Sequence, residues 1–357
     1  MKNIKKAGGV LLALALCFTV LTGCSAPQEP SPAQSPTPQP TEVPSVDITP
    51  EPEAAPAQKE KVRVAALKGP TGMGMVQVMK NAGASTQNDY EFQLISAPDE
   101  AVALLTSGEV DIAALPTNLA ATLYNKTNGG VQLAALNTLG VLHLLSRDGS
   151  VQSIGDLAGK TVYLTGQGAM PEYVVNFILE QNGLADQVTL EYKGEHAELA
   201  ALAASGDVDV CVLPEPFASS VLAKNENMAR SLDLTEEWDK AAELAGAADS
   251  VLSMGCLVVR SELAGEHKAA VDAFLTEYQA SVEYVTGNPA AAAQDIAQYG
   301  LVENAALAEK IIPGCHIVFV AGDEMEQSIS KLYEVLFAAN PKSVGGSIPN
   351  EDFFYKP

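Results

Sequence analysis

Basic and aromatic residues are scarce in this sequence. Its 357 residues include 21 Lys and Arg against 44 Asp and Glu, which gives a formal net charge of −23, and only 6% are aromatic. Proteins that bind nucleic acid neutralise phosphates with Lys and Arg, so this balance argues against a nucleic-acid partner. The acidity does not define a small ligand, because a negative surface also serves solubility.

Cysteine is also rare, and no cysteine or histidine spacing is typical of a metal site. Cys17 and Cys24 belong to the N-terminal segment, whereas Cys211, Cys256 and Cys315 lie far apart within apolar runs. An odd number of cysteines outside the N-terminal segment fits no complete set of disulfides. We therefore predict three small, buried, hydrophobic cysteines, and we expect neither a metal nor a cofactor.

The common motifs of enzymes are missing. The sequence contains no GxSxG, no HExxH and no phosphate-binding P-loop. The stretch "GQGAMP" matches a dinucleotide-binding GxGxxG only in part, because Pro171 stands where the third glycine belongs. We therefore predict a binding protein without catalytic residues.

The first 24 residues have the features of a secretory signal. Lysines at positions 2, 5 and 6 precede an apolar run from Val10 to Val20, shorter than the roughly 20 residues of a membrane span. The stretch "LTGC", ending at Cys24, resembles the bacterial lipobox, which implies an acylated N-terminus at the cell membrane. The alternative is an ordinary signal peptide with a chance cysteine.

Residues 25–58 are predicted to form a disordered tether. They hold ten of the 21 prolines and no aromatic, lysine or arginine residue. Such a segment buries too little apolar surface to offset its ordering entropy, and repeated proline favours extended, solvated conformations. A lipid at Cys24 followed by this arm would hold a folded body at a distance from the membrane.

From Lys59 to Pro357 the sequence alternates between strand and helix patterns. "KVRVAAL", "YEFQLIS" and "VDIAALP" are short apolar strands, and "MVQVMKNAG" and "PDEAVALLTSG" carry helical spacing to a terminal glycine. This order predicts an α/β unit with a parallel sheet covered on both faces. The same order recurs from Lys160 to Pro214.

One ten-residue sequence, the doubled phrase, occurs twice in the chain. "SGEVDIAALP" (107–116) and "SGDVDVCVLP" (205–214) are identical at six of ten positions and lie 98 residues apart. This spacing is too long for solenoid repeats, whose units have about 20 to 50 residues, but it suits two α/β lobes. The mainly helical segment after Ser261 has no second copy and is predicted to pack on the first lobe.

Together these features resemble a type II periplasmic binding protein. "LLTSGEVDIAALPTNLAATL", "LAASGDVDVCVLPEPFASSVL" and "DLAGKTVYLTGQGAMPEYVV" are similar to solute-binding lipoproteins of ABC importers for nitrate, taurine, aliphatic sulfonates and thiamine-pyrimidine precursors. The resemblance implies a two-lobed α/β fold with mostly parallel sheets, an interlobe cleft and two crossover strands. The implied boundaries are 59–145 for the first part of lobe 1, 146–254 for lobe 2 and 255–357 for the helical return.

The ligand is expected beyond the carboxyl ends of the strands, where loops expose helix N-termini. Two lobes that face each other form a cleft that can close by hinge motion. The predicted ligand-binding residues lie in these loops: Thr71, Gly72, Met73, Thr117, Asn118 and Asn137 in lobe 1, and Gly166, Gln167, Gly168, Met170 and Glu215 in lobe 2.

The two copies of the phrase stop matching at Thr117–Asn118 and Glu215–Pro216, and this divergence favours contact with the ligand. For Glu215 the alternative is a structural role, in which the N-terminus of its helix stabilises the negative charge of the carboxylate. For His196, at the start of a helix, a solvated or capping role is favoured over ligand contact.

Alternatives also exist for the glycine-rich turns. The turn at 69–74 could be a tight strand-to-helix connection in which Thr71 caps the helix, rather than a ligand-binding loop. Met73 and Met170 occupy similar turns, where they form either apolar walls for a flat ring or ordinary core positions.

The predicted function is an extracytoplasmic receptor that captures a small solute and delivers it to an ABC permease, as a monomer. An enzyme of the same scaffold acting on a pyrimidine-like molecule is the alternative, although an exported protein would lack cytoplasmic cosubstrates. A structural or adhesive lipoprotein would not need two lobes with matching glycine-rich turns. The loops offer only Lys68 and Lys193 as positive groups, which favours a neutral or heterocyclic solute over nitrate or a sulfonate.

Overall fold

The computed structural model describes residues 59–85 and 87–357. The predicted signal peptide, Cys24 and the segment 25–58 lie outside the described residues. Strands and helices are numbered in chain order. The strands are β1 (Glu60–Leu67), β2 (Asn88–Ile95), β3 (Ile112–Pro116), β4 (Val131–Leu139), β5 (Leu142–Arg147), β6 (Thr161–Thr165), β7 (Thr189–Lys193), β8 (Val210–Pro214), β9 (Met228–Asp233), β10 (Ser253–Arg260) and β11 (Ile317–Val320).

The α-helices alternate with the strands up to β10, except between β4, β5 and β6, and they dominate the C-terminal third. They are α1 (Pro70–Met73), α2 (Val76–Asn81), α3 (Pro98–Ser107), α4 (Thr117–Lys126), α5 (Met170–Gln181), α6 (His196–Ser205), α7 (Phe217–Lys224), α8 (Leu234–Leu244), α9 (Ser261–Glu266), α10 (Lys268–Gly287), α11 (Pro289–Gln298), α12 (Ala305–Ile311) and α13 (Gly322–Ala339).

The strands form two sheets, one in each lobe. The lobe 1 sheet has the order β11-β4-β10-β3-β1-β2, and the lobe 2 sheet has the order β7-β6-β8-β5-β9. In both, the repeated strand–helix units pair in parallel, and the strands next to each crossover, β10 and β5, pair antiparallel with β3 and β8. This architecture confirms the predicted two-lobed α/β fold. The sheets are mixed and not mostly parallel as predicted, because among the described strands the crossover-adjacent and edge strands add five antiparallel pairings to the four parallel ones.

The chain crosses between the lobes immediately after β4. Leu142 already pairs with Pro214 in lobe 2, so residues 142–145, which the sequence assigns to lobe 1, belong to the lobe 2 sheet. On the way back, Ser253 pairs with Leu139, and β10 belongs to lobe 1 from its first residue. The boundaries therefore differ by a few residues from the predicted ones, because sheet pairing decides them and the strand pattern alone does not.

The C-terminal helices pack on lobe 1. Helices α10 and α11 lie against α2, and α13 packs beside β4. The buried rings of Phe274 and Tyr278 in α10 stack with centroids 6.0 Å apart and contribute to this core. Strand β1 is buried on both faces at Val62, Val64, Ala65 and Ala66, as a covered parallel sheet requires.

Both copies of the doubled phrase form the same local structure. Gly108 and Gly206 end α3 and α6 in the left-handed conformation, with φ of 73° and 84°, which glycine adopts without strain. The hydroxyls of Ser107 and Ser205 each lie within hydrogen-bond distance of two acceptors, the carbonyl three residues earlier and the acid two residues later. The repetition therefore encodes a helix end and a strand start.

The three cysteines Cys211, Cys256 and Cys315 are buried, as predicted, and they are unpaired. Burial raises the pKa of the Cys211 thiol to about 12, so it is protonated at neutral pH. Among the described residues, no group of His, Cys, Asp and Glu is arranged to hold a metal ion. No helix in the same part of the chain is long and apolar enough to cross a membrane.

Candidate functional site

A cavity of about 900 Å³ lies between the two lobes. It is lined by the loops that follow β2 and β3 in lobe 1, and by those that follow β6, β7 and β8 in lobe 2. A helix begins in each of these loops. Leu142 and Met254, from the strands beside the crossovers, complete the lining. This position, beyond the carboxyl ends of strands in both sheets, is the expected place for a ligand.

The walls of the cavity are mainly apolar. Leu119, Leu142, Met170, Phe217 and Met254 supply large side chains. Prolines from four loops add rigid apolar surface at positions 98, 116, 171 and 214. A cavity of this size and lining would bury much of a small molecule's surface, while a few polar groups would fix its orientation.

Three polar side chains other than carboxylates lie within this apolar lining. Asn118 donates from Nδ2 to the backbone oxygen of Ser343 at 3.3 Å, which fixes its amide at the start of α4. In lobe 2, Thr165 Oγ1 and His196 Nδ1 share a hydrogen bond. The imidazole of His196 also lies beside the Phe217 ring, with centroids 5.4 Å apart. These contacts hold the rings of His196 and Phe217 side by side at one wall of the cavity.

Burial favours the uncharged form of His196. Desolvation by burial lowers the pKa of His196 below its ordinary value of 6.5. A neutral imidazole has one donor and one acceptor nitrogen, and Nδ1 is engaged with Thr165. Nε2 therefore remains as the ring's second hydrogen-bonding group.

None of the described residues that line the cavity is a lysine or an arginine. Its charged groups are the carboxylates of Asp99 and Glu195, both in exposed residues at the loops of opposite lobes. Lys68 and Lys193, the two positive groups that the sequence places in these loops, do not line it. The Nζ atom of Lys193 instead lies 5.3 Å from the centre of the Tyr163 ring.

Of the residues predicted to bind the ligand, the structure brings four to the cavity. These are Asn118, Gly166, Gly168 and Met170. Gln167 lies between the two glycines but is exposed and outside the lining.

The predicted residues after β1 do not reach the cavity. A side chain at Gly72 would place its Cβ 1.9 Å from the Leu67 carbonyl oxygen, so glycine serves close backbone packing there. Met73 is fully buried in the core. The backbone oxygen of Thr71 accepts a hydrogen bond from Asn137 Nδ2 at 3.0 Å, and Asn137 is itself fully buried. This turn is a tight connection inside lobe 1.

Thr117 and Glu215 also turn away from the cavity. Thr117 is fully buried, and its hydroxyl contacts the Ser253 hydroxyl at 3.0 Å. Glu215 is 3% exposed, and its carboxylate accepts hydrogen bonds from Arg230 and from the hydroxyl of Ser219. Because this carboxylate already has internal partners, it does not serve as a free ligand group.

Sequence reasoning missed several residues of the lining. Thr165, Phe217 and Met254 were not among the predicted site residues, and a capping role was favoured for His196. Thr165 and His196 lie 31 positions apart, so no local pattern joins them. The loops that carry Thr165 and His196 were identified from the sequence, because strand ends can be recognised there. The direction in which each side chain points could not be predicted in this way.

A second, polar cavity of about 570 Å³ lies in lobe 2, away from these loops. Arg147, Lys160, Asp207 and Asp209 are part of its lining. Arg147 is paired with Asp209 inside this cavity. Part of its polarity therefore comes from the Arg147–Asp209 pair, which connects the end of β5 to the residue just before β8.

Two lobes with one cavity between the carboxyl ends of their strands define the class of two-lobed solute-binding proteins. The family described as "ABC transporter, phosphonate, periplasmic substrate-binding protein" matches residues 75–306. The chain belongs to this family. A comparison with curated proteins found no match.

Solved structures show the same fold. An ABC transporter protein from Parabacteroides distasonis is 24% identical, with a TM-score of 0.71, covering 83% of this chain and 99% of its own. The periplasmic aliphatic sulphonate binding protein SsuA from Escherichia coli is 14% identical, with a TM-score of 0.67, covering 84% and 93%. The alkanesulfonate-binding protein SsuA from Xanthomonas axonopodis pv. citri, bound to MOPS, is 13% identical, with a TM-score of 0.57, covering 82% and 96%.

Proposed function

We propose that this protein is the lipid-anchored, extracytoplasmic solute receptor of an ABC importer. It would capture a small molecule in the interlobe cavity and deliver it to the permease. The observation that carries the proposal is the cavity itself, because residues of both lobes line it at the ends of their strands. Family membership supports the transport role, and the lipobox-like stretch before Cys24 supports the anchor.

The lining suggests how a solute would be held. Phe217 and His196 would stack on a flat group of the solute, with Met170 and Leu142 enclosing it. The Asn118 amide would supply polar contacts from lobe 1. Burying an aromatic or aliphatic group against such walls contributes about 25 cal/mol per Å² of apolar surface removed from water.

Closure of the cavity would couple binding to a change of shape. The lobes are joined by the short link between β4 and β5 and by the segment between α8 and β10. A solute that touches residues of both lobes binds the closed arrangement more tightly than an open one, and it therefore shifts the population toward closure. A permease could then distinguish loaded from empty receptor by the relative position of the lobes.

A panel of solutes tests this function. Purified protein would be screened by thermal unfolding against pyrimidines, vitamins, amines, sulfonates, phosphonates and small anions. A solute present at 100 times its Kd should stabilise the fold by about 2.7 kcal/mol. Turnover of a panel compound would instead favour an enzyme.

Variants locate the site of the solute that is found. Phe217→Ala should weaken binding by about 10- to 100-fold, because it removes an aromatic wall. The matched control is Leu244→Ala on α8, where the side chain is 65% exposed and outside the cavity lining. Equal affinity of the Phe217 variant and the wild type would place the site elsewhere.

A further inference from the structure

Glutamate carboxylates accept hydrogen bonds from backbone amides near the start of four of the five helices that begin at the cavity. Each carboxylate accepts a hydrogen bond from an amide in or beside its own loop. The pairs are Glu100 with Ser96 N at 3.4 Å for α3, Glu172 with Gly168 N for α5, Glu198 with Gly194 N at 3.1 Å for α6, and Glu215 with Ser219 N at 3.2 Å for α7.

Two of these amides, Gly168 N and Gly194 N, belong to residues that line the cavity, so they are the ones that an anionic ligand could use there. Phosphate, sulfonate and carboxylate groups bind at helix N-termini because unpaired N–H groups and the helix dipole favour negative charge. In this chain the carboxylates of Glu172 and Glu198 already accept hydrogen bonds from the two lining amides just before α5 and α6. An incoming anion would have to displace a glutamate and approach its negative charge.

The remaining features of the cavity point the same way. No lysine or arginine among the described residues lines it, and Asp99 and Glu195 add negative charge at its loops. Helix α4 has no acid in its first turn, and there the lining is the neutral amide of Asn118. Burial favours the uncharged imidazole of His196 by lowering its pKa.

We propose that the cavity takes a solute without negative charge, and that Glu172 and Glu198 are specificity-determining residues that exclude anions such as phosphonates and sulfonates. This inference rests on the proposed function and deepens it. The solute is a neutral or cationic molecule with an apolar ring or chain, which matches the apolar walls. The proposed solute thus differs in charge from the sulfonates named for the binding proteins that share this fold.

Calorimetry with probes of similar size and different charge tests the inference. Benzenesulfonate and methylphosphonate serve as anions, benzamide as a neutral ring and benzylamine as a cation. The wild-type protein should bind neither anion at millimolar concentration. The Glu172→Ala, Glu198→Ala double variant frees two amides and removes two charges, and it should gain at least about tenfold in affinity for an anion.

Two further variants keep the test decisive. Glu172 also accepts a hydrogen bond from the Tyr192 hydroxyl at 2.9 Å, so a Glu172→Gln, Glu198→Gln variant serves if the alanine variant fails to fold. Its amide oxygen at position 172 can still accept from Gly168 N, while the amide nitrogen there donates to the Tyr192 hydroxyl oxygen. This variant removes only the charges, and a smaller gain in anion binding is expected. Glu180→Ala, an exposed acid in the last turn of α5, is the matched control and should bind no anion.

The outcomes separate this inference from the proposed function. Anion binding by the wild-type protein that Phe217→Ala weakens would overturn the inference and leave the receptor function standing. Failure of both glutamate variants to gain anion binding would overturn the inference as well. If no compound of any charge binds wild type or variants in either panel, the proposed function and the inference both fail.

Discussion

His143 is a buried histidine at the start of β5, surrounded by charged groups. It is 1% exposed, and its Nε2 accepts a hydrogen bond from Arg230 Nη1 at 2.9 Å. A guanidinium group can only donate, so the neutral ring carries its proton on Nδ1, 3.6 Å from Asp233 Oδ2. Glu215 and His316 are the other titratable neighbours. Burial and the adjacent Arg230 charge lower the pKa of His143 to about 4.

His143→Gln should therefore make the fold less sensitive to acid. The unfolded chain takes up a proton below the ordinary pKa of 6.5, whereas the folded state resists protonation until about 4. Stability is thus lost as the pH falls through this window, by an amount on the order of 3 kcal/mol in total. Gln can still accept the hydrogen bond from Arg230 but does not titrate.

Urea unfolding at several pH values between 7 and 4 measures the effect. The difference in unfolding free energy between variant and wild type should move in the variant's favour as the pH falls. Parallel pH profiles for the two proteins would show that His143 does not resist protonation in the fold.

Single side chains were the hardest part of the site to predict. Thr117 and Asn118 are consecutive, yet one is buried against Ser253 and the other lines the cavity. Successive helical residues point about 100° apart, so a loop prediction cannot choose between them. Glu215 was selected because the two copies differ there, but its partner Arg230 lies on the next strand, and only the folded chain shows that the carboxylate is already used.

Among the secondary-structure elements, the doubled phrase stabilises the strand next to each crossover, which is β5 in lobe 2 and β10 in lobe 1. Arg147, at the end of β5, donates hydrogen bonds to Asp209 and to the Gly206 backbone oxygen. In lobe 1, Asp111 bonds both Arg63 and Arg260, and Arg260 ends β10. The same Asp of the phrase thus anchors an arginine in both lobes.

Alanine at these two aspartates should have unequal effects. The Asp111 side chain is 5% exposed and serves two arginines, whereas the Asp209 side chain is 74% exposed and serves one. Breaking the more buried network should cost about 2 to 3 kcal/mol, reduced from the range for buried pairs because both arginines are partly exposed. Asp209→Ala should cost about 1 kcal/mol or less.

Denaturant midpoints of the two variants give the comparison. They are matched controls for one another, since both remove the same side chain at equivalent positions of the two lobes. A larger loss for Asp209→Ala than for Asp111→Ala would mean that burial does not set the strength of these pairs.

Elements with strong local signals were predictable. Helix α3 begins at Pro98 and ends before Gly108, as its proline and glycine indicate. Strand β11, from Ile317 to Val320, was not predicted within the mainly helical segment. It is an edge strand of four residues, and its pairing with β4 comes from tertiary contacts that no short sequence pattern reports.

At the scale of the whole molecule, charge works against membrane association. The formal net charge of −23 gives the protein no electrostatic attraction to an anionic lipid surface. No helix among the described residues could span a bilayer. In the proposed receptor, acylation at Cys24 would supply the attachment, since each buried methylene of an acyl chain contributes about 0.8 kcal/mol.

Cys24→Ser should therefore release the protein from the membrane. Cell fractionation in a bacterial host with lipoprotein processing would place the wild-type protein in the membrane fraction and the variant in the soluble extracytoplasmic fraction. Cys211→Ser is a useful control, because this cysteine is buried in the body and should not change the distribution. The solute affinity of the released variant should equal that of the wild type, since the cavity lies wholly within the two lobes. Retention of Cys24→Ser in membranes after a high-salt wash would mean that another contact, not the lipid, holds the protein there.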